Sequence, residues 1–331
     1  MISWTVAPWP GSFAVLAAAI LIDALAGEPG WLWRRVPHPI VLLGRLVGLL
    51  DRGLNREGWG GARRRAAGIA CLVCLLSASI AAGWLLGTVA QLMPVGAVIE
   101  AVVVAILLAG RSLYDHVAAV AAGLRTGGLA GGRAAVARIV GRDPDSLDAG
   151  GVARAAIESC AENFSDGVIA PAFWYLVGGL PGIVAYKAVN TADSMIGHRS
   201  PRYRQFGWAA ARFDDLVNLV PARLAGLLVA LAAALRPGAS GRGAVRAMLR
   251  DAGRHRSPNA GWPEAAMAGA LGLALAGPRR YGGQVVDDHW MNAGGRQDAG
   301  AGDIQAAARL MAVATLLTAM TAGLAAVATY L

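Results

Sequence analysis

Long apolar runs alternate with polar, arginine-rich segments along the 331 residues of this chain. A helix that crosses a bilayer needs about 20 predominantly apolar residues, and several runs reach or approach that length. The pattern predicts an all-α, polytopic integral membrane protein that forms a single membrane-embedded domain over 1–331. Some runs are short, so we expect re-entrant elements among them and helical loops on the cytoplasmic side. The apolar elements are predicted at 13–26, 66–92, 95–110, 168–186, 216–235, 265–276 and 310–331.

The charges between the apolar runs predict how the first of them cross the membrane. Residues 27–65 carry eight arginines and 111–165 are again basic, which favours the cytoplasmic side for both segments. Runs 66–92 and 95–110 meet at Met93-Pro94 with no charge between them. We therefore predict that these two runs form a hairpin that crosses outward and returns.

A different path is expected for run 168–186. Gly178-Gly179-Leu180-Pro181-Gly182 lies at its centre, and such a sequence breaks a helix where a re-entrant hairpin would turn. If the run crossed instead, the basic segment after it would face outward, against the charge rule. We therefore expect this run to enter and leave on one face. Run 216–235 is followed by another basic segment, so its path stays open.

Composition supports this assignment and limits the function. The mean hydropathy is +0.49 and 56% of the residues are hydrophobic, which is too apolar for an ordinary soluble protein. The net charge of +9 comes from loops beside apolar runs, and we attribute it to an anionic membrane leaflet rather than to nucleic acid. Lys187 is the only lysine of 30 basic residues, either because an ammonium is needed there or as an ordinary loop cation.

Polar residues gather at three places beside the apolar runs. The first is ESCAENFSDG, in which Glu158, Glu162 and Asp166 are spaced i, i+4 and i+8 and would form one acidic stripe on a helix. Like charges stacked in this way repel, so a cation between them is expected, and oxygen ligands suit Mg²⁺ shared with nucleotide phosphates. A solvated helix face is the alternative interpretation.

The second cluster begins at KAVNTADS and combines acids, amides and bases. One helical face would present Lys187, Asn190 and Ser194, with Asp193 beside them. The cluster continues with residues spaced i, i+3 or i, i+4, which are Arg212 with Asp215 and Asp214 with Asn218.

The third cluster is HRSPNAGWPEA, which contains His255, Ser257, Asn259 and Glu264. Ser257 before a proline is also a helix-start signal, so capping is the alternative for that residue. Outside the three clusters, the polar residues of interest are Asp23, His38 and Arg142.

Together these clusters predict a site for a polyanionic substrate and a metal ion, with lysine and arginine on the phosphates. The chain has no P-loop, no serine nucleophile elbow and no HExxH zinc motif. Arginines at 242, 246, 250 and 254 recur every four residues. They predict either an amphipathic helix on anionic lipid or a phosphate-facing surface.

Several long segments resemble one protein family. The segments are DALAGEP, VPHPIVLLGRL, GRDPDSLD, ARAAIESCAENFSDGVIAPAFWYLVGGLPGIVAYKAVNTADSMIGHRSPRYRQFGWAAARFDDLVNLVPARL and HRSPNAGWPEAAMAGALG. In them the chain is similar to the adenosylcobinamide-phosphate synthase (CobD/CbiB) family of cobalamin biosynthesis. The resemblance covers nearly the whole chain, is densest over 141–272 and is weakest over 278–302.

The resemblance implies an integral membrane ligase that uses ATP and Mg²⁺. It would join the free propionate of adenosylcobyric acid to the amine of (R)-1-aminopropan-2-ol or its O-phosphate, giving adenosylcobinamide or its phosphate. We then expect a multi-pass protein of the inner membrane with its active site on the cytoplasmic side. Its expected partners are the corrinoid, the amine and the bilayer, with no nucleic acid. A homo-oligomer or a companion subunit is left open.

On this resemblance we assign roles as expectations. Catalysis is assigned to Glu158, Glu162, Asp166, Lys187, His255 and Glu264. Of these, the first three acids are expected to hold Mg²⁺, with Asp193, Asp214 and Asp215 as second candidates. Phosphates are expected at Lys187, Arg142 and Arg212, and the amine at His255 or Glu264, either of which can act as a base. Other substrate contacts are assigned to Asn163, Asn190, Ser194, Asn218, Ser257, Asn259, Asp23 and His38.

Two other functions compete with this expectation. A non-enzymatic membrane sensor of the same fold, such as an AmpE-type protein, would not need the acidic stripe or Lys187. A transporter for corrinoids or another anion would place charges deep within its spans and would contain pseudo-repeats. Glu100 is the acid inside the 66–110 hairpin, and its spacing from Pro94 places it near an interface.

Overall fold

The computed structural model describes residues 11–141, 143–281, 284–286 and 288–330, and most of these residues lie in α-helices. The first six helices are α1 Ser12–Ala26, α2 Gly30–Trp33, α3 Pro39–Leu54, α4 Gly61–Gln91, α5 Gly96–Leu107 and α6 Gly110–Val136. The next seven are α7 Ala149–Phe164, α8 Ala170–Ile196, α9 Trp208–Val217, α10 Leu219–Ala234, α11 Gly241–Asp251, α12 Gly261–Leu271 and α13 Ala301–Tyr330.

Short strands follow α12. They are β1 Leu275–Ala276, β2 Arg279–Tyr281, β3 Gln284–Val286 and β4 Trp290–Met291. Two antiparallel pairs result, β1 with β4 and β2 with β3, and Leu275 lies opposite Met291. These strands are too short to change the predicted all-α class.

The polytopic membrane architecture is confirmed. Four helical segments are long and apolar enough to cross a bilayer, namely Gly61–Gln91, Gly96–Val136, Ala149–Ile196 and Ala301–Thr329. The pair α9 and α10, which meet at 47°, would add a fifth crossing if they form one broken span. This bend lies in the run whose path the sequence left open.

One predicted apolar element has a different role. Run 265–276 lies in α12 and β1, and α12 is only 11 residues long and buried within the protein on nearly every side. Gly272 ends this helix in the left-handed conformation, with φ of 65°. The run is therefore a core helix, because hydropathy alone does not separate burial in protein from burial in lipid.

The described chain divides into two compact units, and the single membrane-embedded domain expected from the sequence stays a prediction. The first unit comprises the described parts of Met1–Ala109, Ala170–Asn218 and Ala319–Leu331, and the second comprises those of Gly110–Ile169 and Leu219–Thr318. Composition does not reveal this division, because no long Pro/Gly-rich linker stands where the chain passes between the units, after 109, 169, 218 and 318.

Large apolar side chains form the cores of the first unit. Helices α1, α5 and α8 bury Leu16, Val104 and Tyr175 in one cluster. Helices α3, α4 and α8 bury Val47, Leu75 and their neighbours in a second cluster. Helix α8 contributes to both clusters, so its position organises this unit.

Small residues form much of the core of the second unit. Alanines of α7 and α12 are fully buried, and the backbones of α11 and α12 approach closely at glycines. A Cβ atom added at Gly269 would lie 2.2 Å from the Gly243 carbonyl oxygen. Helices come this close where small residues line the contact, as is common in membrane proteins.

The hairpin break expected in run 168–186 is confirmed inside α8. Gly178 and Gly179 leave the helical conformation, and Gly179 has φ of +60°. A Cβ atom added at Gly182 would lie 2.2 Å from the carbonyl oxygen of Trp174. Residues eight apart in a straight helix are about 12 Å apart along the axis, so the chain folds back on itself here.

The expected turn between the first two spans is also confirmed. Helix α4 ends at Gln91 and α5 begins at Gly96, with backbone hydrogen bonds from Met93 to Ala90 and from Gly96 to Met93. A Cβ atom at Gly96 would lie 2.0 Å from the Ala90 carbonyl oxygen. The turn is therefore tight, as its uncharged sequence predicted.

We predict that Gly182→Ala destabilises the protein by about 1–3 kcal/mol, because the methyl group would push apart the two arms of the α8 hairpin. Thermal unfolding of the purified protein in detergent measures this. Gly178→Ala is the matched control, since no atom lies within 4 Å of its added Cβ and its φ of −134° suits any residue. Equal stability of the two variants would contradict the packed hairpin.

Candidate functional site

The residues assigned from the sequence fall into both units. The first unit contains Asp23, His38, Lys187, Asn190, Asp193, Ser194, Arg212, Asp214, Asp215 and Asn218. The second contains Glu158, Glu162, Asn163, Asp166, His255, Ser257, Asn259 and Glu264. Arg142 lies outside the described residues. Each unit therefore carries its own group of candidate side chains.

Lys187 is buried in the first unit, on the second arm of α8. The residue is only 8% exposed, in a helix rich in apolar positions. Asp23 at the end of α1 is also buried, at 5% exposure. Burial of a lysine is costly unless polar groups surround it, so the earlier interpretation as an ordinary loop cation is wrong.

His38 and Glu28 lie near Lys187. The Nδ1 atom of His38 accepts a hydrogen bond from the Ile40 backbone N–H at 3.2 Å, which caps the start of α3. Burial lowers the pKa of His38, Glu28 raises it and the charge of Lys187 lowers it, with a net lowering. The surroundings of His38 thus favour its neutral form, near the single lysine of the chain.

Acids and amides meet between the end of α8 and α9. Asp214 Oδ2 accepts a hydrogen bond from Asn218 Nδ2 at 3.0 Å. Asn218 Oδ1 in turn accepts a hydrogen bond from the Tyr186 hydroxyl at 3.0 Å. Asp193 and Asp215 lie close enough for their charges to repel that of Asp214. The sequence analysis missed Tyr186, which gave no signal because tyrosine is ordinary in an apolar run.

One carboxylate oxygen of this acidic group is buried. The Oδ1 atom of Asp214 is buried and makes no hydrogen bond of ordinary geometry with the described residues, although the Asn190 amide is nearby. Arg212 pairs with Asp215 at 3.3 Å, at the exposed edge of the group. A buried carboxylate oxygen without a partner is costly unless the carboxyl group is protonated or a cation or donor is present.

The predicted acidic stripe in the second unit is not continuous. The α-helix ends at Phe164, and the chain passes through a π-helical turn at Ser165–Ile169 before α8 begins. The wider turn removes Asp166 from the i, i+4, i+8 series, because that spacing holds only for an α-helix. Glu162 is exposed and Asp166 is half-buried.

Glu158 has a partner that the sequence did not predict. It is 3% exposed, and its Oε1 atom accepts a hydrogen bond from the Ala276 backbone N–H at 2.8 Å. Ala276 has φ of 60°, a conformation that alanine rarely adopts. The carboxylate therefore fixes a strained residue of β1. The expected role of Glu158 at a metal stays a prediction.

The structure provides no complete protein cage for a metal ion. Among the described residues, no three histidine, cysteine, aspartate or glutamate side chains are placed to hold one ion. The expected Mg²⁺ site at Glu158, Glu162 and Asp166 therefore has no preformed geometry. Any ion would need ligands from a substrate as well.

His255 and Glu264 form a pair in the second unit. The His255 Nε2 atom lies 3.7 Å from Glu264 Oε2, and Glu264 is 3% exposed in the first turn of α12. His255 Nδ1 accepts from the Ser257 N–H at 3.1 Å. The Ser257 hydroxyl accepts from the N–H groups of Asn259 and Ala260 in the turn before α12. Helix α12 begins at Gly261 without a side-chain cap, so the capping alternative for Ser257 is wrong.

Arg223 lies in the same unit as this pair, and the sequence analysis gave it no role. Its guanidinium donates to Asn259 Oδ1 at 3.0 Å and lies over the Trp262 ring, 4.5 Å from the ring centre. Asn259 is buried, at 6% exposure. A lone arginine in the apolar run 216–235 was the available signal, because a charge inside such a run is rarely without a partner.

Comparison with known proteins gives the family. The model of the CobD/Cbib protein family matches residues 16–311. A cobalamin biosynthesis protein CobD of a Sinorhizobium species is 57% identical over 294 residues, covering 88% of this chain and 91% of that protein. The CobD proteins of Rhizobium meliloti and Rhodobacter capsulatus are 55% and 50% identical, over 88% and 84% of this chain and 90% and 86% of theirs. No solved structure matches the chain.

We predict that Glu158→Ala lowers the free energy of unfolding by about 1–3 kcal/mol, because the buried Ala276 N–H would lose its acceptor. Glu158→Gln keeps an acceptor oxygen and should lose much less. Thermal unfolding in detergent measures both variants. Equal stability of Glu158→Ala and the unmodified protein would contradict the structural role.

We also predict that acid destabilises the protein partly through His38. The pKa of His38 is lowered in the folded protein, so folding favours the neutral ring. The stability that this ring contributes is complete above the usual histidine pKa of about 6.5 and is lost as the pH falls through the lowered pKa. His38→Asn keeps a capping acceptor without titrating. Melting temperatures measured across this pH range should fall less steeply for this variant than for the unmodified protein.

The control for this titration is His116→Asn, which removes an exposed histidine of α6. It separates the effect of losing His38 from the effect of losing any histidine. A slope unchanged by His38→Asn would show that protonation of His38 is not linked to folding.

Proposed function

The chain belongs to the CobD/CbiB family, and from that membership we propose that it is an ATP-dependent amide ligase of cobalamin biosynthesis. The proposed substrates are adenosylcobyric acid and (R)-1-aminopropan-2-ol or its O-phosphate, and the product is adenosylcobinamide or its phosphate. The observation that carries the proposal is the family match over 16–311, which takes in all the candidate site residues of both units.

The proposed reaction needs an activated carboxylate, because a carboxylate is a poor electrophile. In the first step a carboxylate oxygen of the corrinoid attacks the γ-phosphorus of ATP, the bond to the bridging oxygen breaks, and ADP leaves. In the second step the amine nitrogen attacks the acyl carbon of the resulting acyl phosphate. The carbon–oxygen bond to phosphate breaks, phosphate leaves, and a proton from nitrogen passes to a base.

The His255–Glu264 pair is suited to the proton transfer. His255 Nδ1 lies 3.1 Å from the Ser257 backbone nitrogen and 3.3 Å from the Ser257 carbonyl oxygen. The shorter contact favours the neutral tautomer with its proton on Nε2, which faces Glu264. The Glu264 carboxylate is then the member of the pair that can take a proton from an amine. Arg223, held by Asn259 and stacked on Trp262, is placed to bind an anionic group of a substrate.

The acidic group in the first unit fits Mg²⁺ better than the stripe at Glu158 does. Mg²⁺ usually keeps several waters and takes one or two carboxylates plus substrate phosphates, so a complete protein cage is not required. Asp214, with its unpartnered Oδ1, and Asp193 beside it are the residues that would hold the ion. Bound Mg²⁺ supplies charge neutralisation on the phosphates of ATP.

In the first unit, Lys187 is the residue proposed to bind phosphate, and His38 lies near it. A buried ammonium stabilises an anion strongly, because little water screens it.

The arginine-rich segments favour the cytoplasmic side, where ATP is present. We therefore propose that the enzyme lies in the inner membrane with its active site facing the cytoplasm.

The first test is turnover by the purified protein in detergent. The mixture contains adenosylcobyric acid, ATP, Mg²⁺ and either aminopropanol or its phosphate, and mass spectrometry detects the amide. Amide with one amine would establish the ligase and its nucleophile. If folded protein forms no amide even after addition of membrane extract, the ligase proposal is wrong; product that appears only with the extract would indicate a companion subunit.

We predict that Glu162→Gln abolishes turnover while the protein stays folded in the membrane. Glu162 is exposed, and the expected cause is a lost contact with the metal or substrate. Thermal unfolding in detergent checks that the variant is folded. Glu57→Gln is the control, because it changes another exposed glutamate whose ion-pair partner is Arg202. Normal turnover by Glu162→Gln would remove this residue from the catalytic set.

A further inference from the structure

Three successive arginines open α4, the first long span of the chain. Arg64 turns inward, where its guanidinium donates to Asn55 Oδ1 at 3.0 and 2.9 Å and to the Arg202 carbonyl oxygen. Arg202 in turn pairs with Asp51 at 2.9 Å. The middle arginine is therefore part of a polar network that fixes the start of the span.

The other two arginines point outward and stack on tryptophans. Arg63 lies over the Trp59 ring at 3.9 Å from its centre, and Arg65 lies over Trp208 at 4.8 Å. Neither forms an ion pair with a carboxylate of the residues that the structure describes. A guanidinium stacked in this way is held in place and keeps its N–H groups available to an anion.

A shallow groove of about 490 Å³ runs beside Arg65. It is lined by Gly61, Ala62, Arg65, Ala66, Ile69 and Gln205. Arg65 and Gln205 supply its hydrogen-bond donors, and the remaining lining is small or apolar. The groove therefore suits a ligand that has both an anionic group and an apolar part.

The apolar side of the groove continues along α4 toward the middle of the span. Ile69, Val73 and Ile80 are 45%, 55% and 48% exposed, and spacings of four and seven residues place them on one face. A free phosphate or nucleotide would leave this face uncovered. An acyl chain would cover it, and lipid is already present around a spanning helix.

We propose that this groove is a binding site for an anionic phospholipid. The headgroup phosphate accepts hydrogen bonds from Arg65 and Gln205, and an acyl chain lies along Ile69 and Val73. Trp208 holds the Arg65 guanidinium at the depth of the headgroups, where tryptophans of membrane proteins concentrate. The site is independent of the proposed ligase activity, because its residues take no part in that chemistry.

The test measures the melting temperature of the full chain in detergent with added phosphatidylglycerol or phosphatidylcholine. Phosphatidylglycerol should raise it more than phosphatidylcholine does. Arg65→Gln should weaken phosphatidylglycerol binding, titrated in the same assay, by about fivefold or more, as expected for one arginine near anionic lipid. Arg125→Gln removes the charge of an exposed arginine in the second unit and should retain the preference.

Two further measurements keep the proposal falsifiable if Arg65→Gln does not fold. Gln205→Leu should also weaken phosphatidylglycerol binding without changing the net charge. Glycerol 3-phosphate alone should not reproduce the lipid effect, because it lacks acyl chains. The proposal is overturned if the unmodified protein shows no preference between the lipids, if glycerol 3-phosphate acts equally, or if Arg125→Gln loses as much binding as Arg65→Gln.

Discussion

Close backbone contact at glycines is the constraint on which the hairpins of this protein depend. In lipid a helix gains little from burying apolar side chains against another helix, so tight packing has to supply the association. The two arms of α8 meet at Gly182, and the tip of that hairpin packs on α4, where an added Cβ at Gly83 would lie 2.6 Å from Pro181 Cα. Within the second unit, α6 turns at Gly128 and its arms meet at Gly123 and Gly131.

These hairpins explain how polar residues come to lie inside apolar helices. The second arm of α8 carries Lys187, Asn190 and Asp193 into the first unit, where α3 and α9 supply partners. Glu100 of α5 is another polar residue inside an apolar helix. It is buried and accepts a hydrogen bond from the Tyr175 hydroxyl at 2.9 Å. That pairing gives Glu100 a structural partner, which weakens the main sequence argument for a transporter.

Much of this fold could be predicted because its signals are local. Run length predicted most of the spans, although run 265–276 is a core helix, and Gly178–Gly182 predicted the α8 hairpin. Contacts between distant residues could not be predicted in the same way. Glu158 and Ala276 are 118 positions apart, and no pattern in either segment reveals their hydrogen bond. The π turn after Phe164 was also missed, because α and π turns differ by a single residue, and that residue displaced Asp166 from the expected stripe.

Because Lys187 is both the single lysine and buried, chemical labelling can follow the opening of the protein around it. Lys187 carries the only ε-amine in the sequence, so an amine-directed reagent can modify just that side chain and the amino terminus. With 8% of the residue exposed, its labelling rate reports how often the surrounding helices open. The protein thus contains a built-in reporter for movement of the first unit, and no engineered residue is needed to read it.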